Sequence, residues 1–291
     1  MVWFIFAILG ALFAATYYAA IKKLLKNVDQ YILASGAFLS SFIILFLISI
    51  IKGIPEIGSA FYSSVLATGV LNVIAAILYF KALKITDLSL SVPMISFTPL
   101  FLVITSFILL NEAPSLFGLI GIVLIVTGSY VLNISKNDTH LLDPFKEIFR
   151  NKGTFYMLIA AFLFSISSNF DKLVVQNSDP IFGSSMVYLL LGSSFLIISC
   201  TKTNNIRTVY KKNLHKFFFI GLILASIAIT INIAFTRQIV PYVISLKRLS
   251  ILFSVFYGGL IFKEKNMLKR GLGAFIMLLG VILIILFNGG A

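Results

Sequence analysis

Two basic side chains stand next to each other inside an apolar stretch: Lys247 and Arg248 in YVISLKRLSILFSVFYGG, residues 242–259. Each such charge costs about 2.5–3.5 kcal/mol at the centre of a membrane-spanning helix. In a dry setting the pair suits one kind of partner, an anion. Arginine offers a planar fork that grips carboxylate or phosphate with two hydrogen bonds, and lysine acts as a point charge. The two cations repel each other, and a bound anion relieves that repulsion. At helical spacing Lys247 shares a face with Ser250, Ser254 and Tyr257, whereas Arg248 is turned about 100° away, in line with Ser245. Lys247, Ser250, Ser254 and Tyr257 therefore form a candidate anion-binding stripe. Arg248 is a second cation for a neighbouring helix or a phosphate. Both sit about 8–9 Å from the start of the apolar run, so snorkelling of one of them to the head groups is the competing reading.

Other polar residues fall inside apolar runs. Ser91, Thr98 and Thr105 recur every seven residues, and Pro93 and Pro99 interrupt the same segment. Each proline removes a backbone donor and frees a carbonyl, which is tolerated at membrane depth where the backbone lines a cavity. Tyr17, Asn72, Asn169 and Asn232 must face protein or water, because an unpaired amide in lipid is costly. They are candidate substrate contacts or interhelical hydrogen bonds. Asp171, beside Lys172, reads as a local pair near a helix end ahead of a proton site. Glu112 and Glu264 open helices, where a carboxylate favours the positive end of the dipole.

The elements that carry these residues follow from composition. Of 291 residues, 59% are hydrophobic and 11% charged; a soluble domain is about 25% charged. The chain is predicted to be an all-α integral membrane protein with ten transmembrane helices, near 2–21, 31–51, 60–80, 89–110, 115–134, 154–174, 181–200, 216–236, 242–262 and 268–287, each about 20 apolar residues long. The formal charge of +13 is distributed over short gaps. It reads as loop anchoring at a lipid bilayer and excludes nucleic-acid binding. Cys200 is the only cysteine, and His140 and His215 lie in polar gaps, so no metal or cofactor is expected. The acids are not clustered, which argues against an enzyme such as a lipid-linked transferase.

The chain repeats itself. Residues 11–29 lie over 161–179 at an offset of 150, matching Lys22, Asn27 and Asp29 to Lys172, Asn177 and Asp179. Residues 111–128 lie over 263–280 at an offset of 152, matching Glu112, Gly121 and Gly128 to Glu264, Gly273 and Gly280. Five helices per repeat is odd, so the second copy enters the membrane in the opposite sense. The expected organisation is two inverted five-helix repeats, 1–134 and 154–291, joined by a polar linker at 135–153. Of the 23 Lys and Arg residues, 18 fall in the odd-to-even loops. Those loops are expected in the cytoplasm of a plasma-membrane protein, with both termini outside.

Residues 79–133, YFKALKITDLSLSVPMISFTPLFLVITSFILLNEAPSLFGLIGIVLIVTGSYVLN, carry a family resemblance, and 257–284 repeat the end of that pattern. The chain resembles the EamA-type transporters of the drug/metabolite transporter superfamily over nearly its whole length. The resemblance implies a basket of ten helices around a cavity lined by helices 3, 4, 8 and 9, and secondary transport of a small-molecule substrate by a monomer or homodimer. Flipping of a lipid head group is the alternative. Two features depart from the pattern: the cations where the other repeat has Pro93, and termini that the charge bias places outside.

Overall fold

The computed structural model describes residues 2–25, 27–86, 94–133, 151–202, 205–262 and 267–287. Those residues contain eleven helices and no strand: α1 (Trp3–Leu24), α2 (Gln30–Lys52), α3 (Phe61–Ile85), α4 (Thr98–Leu110), α5 (Leu116–Asn133), α6 (Lys152–Gln176), α7 (Pro180–Lys202), α8 (Ile206–Phe235), α9 (Val240–Lys247), α10 (Leu249–Phe262) and α11 (Met267–Leu286). Large apolar side chains stand on the outside of the bundle as well as in its core, and small polar ones are buried with the latter. Ile51, Tyr62, Ile108 and Leu116 are exposed, whereas Ser35, Ser41, Ser106, Ser129 and Asn169 are fully buried. In hydrocarbon a bare leucine costs nothing, whereas a hydroxyl or amide must find a partner inside the bundle. Six helices, α1, α2, α3, α6, α7 and α8, are long and apolar enough to cross a membrane, and α4, α5 and α11 are shorter apolar helices.

Three of the ten expected spans differ. The run 242–262 is two helices, because the chain turns at Arg248. In the run 89–110, residues 89–93 lie outside the described residues, Met94 and Ile95 are helical, and α4 starts at Thr98 after a turn at Ser96 and Phe97. The eighth helix starts at Ile206 rather than 216, so polar residues expected in a loop extend a 30-residue helix.

Contacts divide the chain into two compact units, each drawn from both halves of the sequence. Unit I holds residues 74–169 and 238–291, and unit II holds 2–73 and 170–237. Helices α3 and α6 therefore pass from one unit to the other, at 73/74 and 169/170.

In unit II, α2 packs on α7 and α8, and α1 packs on α8. Helices α2 and α7 are both 23 residues long, and their first residues, Gln30 and Pro180, are 150 apart. Each is opened by an aspartate whose carboxylate takes two orphan N–H groups. Asp29 accepts from Tyr31 N at 2.9 Å and Ile32 N at 3.4 Å; Asp179 accepts from Ile181 N at 2.7 Å and Phe182 N at 2.6 Å. Phe38 and Tyr188, also 150 apart, meet ring to ring at 5.2 Å.

In unit I, α5 packs on α11 through four glycines. A Cβ placed on Gly121 would lie 2.7 Å from Gly280 O, and one on Gly280 would lie 2.5 Å from Gly121 O. Gly128 and Gly273 face each other the same way, at 2.6 and 2.8 Å. Only glycine admits backbones this close. In the same unit, Ala82, Met94, Tyr130 and Met157 form a buried cluster.

Candidate functional site

Within unit I the cations stand at the junction of α9 and α10. Lys247 is the last residue of α9, Arg248 is the turn, and both are half-buried. Arg248 N–H reaches Ile244 O at 3.2 Å and Ser245 O at 3.1 Å, and Ile251 N–H donates to Arg248 O at 2.9 Å. The last bond spans three residues, a 3₁₀ step that eclipses side chains at i and i+3. The other half has the same step: Leu100 N–H donates to Phe97 O, also at 2.9 Å, where α4 begins. Phe97 and Arg248 are 151 residues apart, between the two repeat offsets.

The entry of α9 is held from a distance. Its N-cap, Ile239, has no side-chain acceptor to offer, and Pro241 stands in the first turn. The cap comes from Glu112, whose Oε2 accepts from Val240 N–H at 2.9 Å. Glu112 thus caps α9, whereas the sequence reading had it favour the helix that follows it. That helix, α5, is capped by Ser115, whose Oγ accepts from Gly118 N–H at 3.1 Å and donates to Phe287 O at 2.7 Å. Tyr242 on α9 is fully buried, and its hydroxyl accepts from Ser115 N–H at 2.8 Å.

Of the stripe below Lys247, Ser250 is buried and Tyr257 half-buried. Ser254 donates to Ser250 O at 2.7 Å, and Ser245 donates to Pro241 O at 2.6 Å. On α4, Thr98 donates to Ile95 O at 2.8 Å. Ser91 and Pro93 lie outside the described residues, as does Glu264. Asn169 joins α6 to α4. Its Oδ1 accepts from Ser106 Oγ at 2.6 Å, and its Nδ2 donates to Thr105 Oγ1 at 3.1 Å and Ser165 O at 3.0 Å. With both amide protons engaged, Asn169 acts as an interhelical tie.

Unit II holds the remaining candidates. Asn232 Nδ2 donates to Ser184 Oγ at 2.6 Å. Tyr17 is half-buried, its ring edge-on to Tyr18 at 5.8 Å. Asn72 Nδ2 donates to Thr68 Oγ1 at 3.0 Å, and Thr68 Oγ1 donates to Asp171 Oδ1 at 2.5 Å. The sequence reading put a local pair of Asp171 with Lys172 ahead of a proton site. Its engagement by α3 was missed, although Thr68 and Asn72, one turn apart in an apolar helix, were the signal for it.

The profile of the EamA-like transporter family matches residues 1–134 and 151–286. An uncharacterized transporter of Archaeoglobus fulgidus is 25% identical over 213 residues, covering 72% of this chain and 70% of that protein. An uncharacterized transporter of Methanothermobacter thermautotrophicus is 28% identical over 235 residues, covering 78% of this chain and 65% of that protein, just under two thirds. A crystal structure of a protein 13% identical in sequence superimposes with a TM-score of 0.75, over 99% of this chain and 96% of the other, which shows a shared fold.

Proposed function

The chain belongs to the EamA-like transporter family, a multi-pass membrane transporter rather than an enzyme, and on that premise we propose that it moves a small, polar, anionic metabolite across the plasma membrane by alternating access. The observation that carries the reading is the half-buried Lys247–Arg248 pair at the α9–α10 break. Lys247 lies in the last turn of α9, where its charge is favourable against the carbonyl end. One residue after Arg248 α10 begins, so both cations stand at one junction of two helices. Carboxylate and phosphate are the groups that such a junction suits.

Alternating access draws support from matched features of the two sequence halves. The caps at Asp29 and Asp179, the 3₁₀ steps at Phe97 and Arg248, and the reciprocal glycine pairs all recur at 150 to 152 residues. Exchanging the halves carries the contact 121–280 onto 273–128, as a two-fold axis between antiparallel helices does. The odd-to-even loops, rich in Lys and Arg, would face the cytoplasm.

The test is a thermal-shift screen of the purified protein against carboxylates and organic phosphates, because a ligand at 100 times its Kd stabilises the folded state by about 2.7 kcal/mol. The hit is then followed by uptake into vesicles. Lys247→Ala is expected to weaken binding about 10- to 100-fold, in line with a charged hydrogen bond of about 1.5–3 kcal/mol. Unchanged uptake in both Lys247→Ala and Arg248→Ala would sink the proposal. Stabilisation by short-chain phospholipid alone would replace it with head-group flipping.

A further inference from the structure

The carboxylate of Asp171 is not used by the anion site, and its surroundings point to a second ligand. We infer that Asp171, with Thr68 and Asn72, is a proton-binding site of the transport cycle. The three side chains form a directed chain: Asn72 Nδ2–H to Thr68 Oγ1 at 3.0 Å, then Thr68 O–H to Asp171 Oδ1 at 2.5 Å. Each bond polarises the next toward the carboxylate. Thr68 is fully buried, and Asp171 and Asn72 are half-buried. Among the described residues, Tyr188 of α7 is one titratable group within electrostatic reach of the carboxylate. Lys172, itself buried, is its neighbour on α6, and α3 contributes the neutral Thr68 and Asn72.

The scaffold does not require this cluster. At offsets of 150 to 152 the position of Thr68 is taken by Phe218, Phe219 or Ile220, and that of Asn72 by Leu222, Ile223 or Leu224. Asp171 corresponds to Ile21 at the offset of 150 that aligns its neighbours Lys172 and Lys22. The symmetry-related trio, one position in the first half and two in the second, is apolar, whereas the cluster itself combines two hydrogen-bonding residues of the first half with an acid of the second. An ionisable residue within a membrane span is costly and marks an ion pathway or proton relay by default.

The location gives the proton something to act on. Asn72 and Asp171 are adjacent to the points where α3 and α6 leave unit II, at 73/74 and 169/170. Loading converts the carboxylate and one proton from water on one face into the carboxylic acid; unloading returns that proton to water on the other face. No other bond is made or broken. The carboxylate only accepts hydrogen bonds and the acid also donates, so the α3–α6 tie has two forms, on the two helices that join the units.

The experiment is infrared pH titration of the full chain in lipid vesicles with no substrate present, so that its outcome is separate from that of the anion site. The expected result is a carboxylic C=O band that appears and disappears reversibly across the pH range in which the vesicles and the fold stay intact. It should move on labelling with carboxyl-13C aspartate, vanish in Asp171→Asn, and titrate with a midpoint displaced by half a unit or more in Thr68→Val. The labelled wild-type protein and Thr68→Val keep the test decisive if Asp171→Asn does not fold. A label-sensitive band whose titration is identical in wild type and Thr68→Val overturns the inference, as does the absence of any reversible, label-sensitive band in that range.

Discussion

Glu112 illustrates how one carboxylate can serve a helix far from it in sequence. It stands 128 residues before Val240, yet it satisfies the amide that opens α9. Helix α9 has eight residues and ends in Lys247, so an error at its entry is carried to the cations within about two turns. Glu112→Ala is expected to lower stability by about 1 kcal/mol, as loss of a cap does, and to weaken anion binding beyond what stability explains. Glu112→Gln keeps an acceptor and should restore most of the stability. Denaturant midpoints beside binding curves for the two variants check this. Equal binding in wild type and Glu112→Ala would deny Glu112 a positioning role. The sequence located the cations and the repeated glutamate, but not the long-range bond, because helical periodicity reports a residue's own face and never its partner on another helix.

At the scale of elements, the repeated features are structural and should behave as matched pairs. Asp29→Ala and Asp179→Ala are each expected to cost about 1 kcal/mol, with Asp179 the more sensitive because Lys52 Nζ lies 3.7 Å from its other oxygen. Thermal melts of the single and double variants measure it. Gly121→Ala should cost about 1–3 kcal/mol, since its Cβ meets a backbone oxygen that cannot move without separating α5 from α11. Gly271→Ala on α11 meets open space and serves as control, neutral or stabilising by up to about 1 kcal/mol. The aligned pairs Asp29/Asp179 and Gly121/Gly273 were legible because a cap and a close approach each demand a residue type. The break at Arg248 was not, because neither proline nor glycine announces it and a 3₁₀ step changes only hydrogen-bond partners. The start of α8 was missed for a related reason: Arg207, Lys211, Lys212 and Lys216 lower the apolar signal without preventing a helix.

For the whole molecule, length and composition were enough for a helical membrane protein, because burying a polar backbone in lipid leaves few alternatives. The grouping of helices was not legible, since lipid-facing leucines and packed ones look alike in sequence. The proposed orientation is open to direct test: in a Cys200→Ser background, Asn204→Cys should resist an impermeant thiol reagent in intact cells and Gly290→Cys should react. The opposite pattern would reverse the topology. The interleaved units also bear on biosynthesis. Helix α2 packs on α7, α1 on α8 and α5 on α11, so neither unit can close while only the first half has left the ribosome. During that interval the buried Ser35 and Ser41 of α2 lack their partners in α8, the Tyr210 hydroxyl and Gly221 O. Assembly then depends on contacts of long sequence separation, which form slowly. The nascent first half is the stage most in need of an insertion partner, and two halves made as separate chains should find each other and restore the fold.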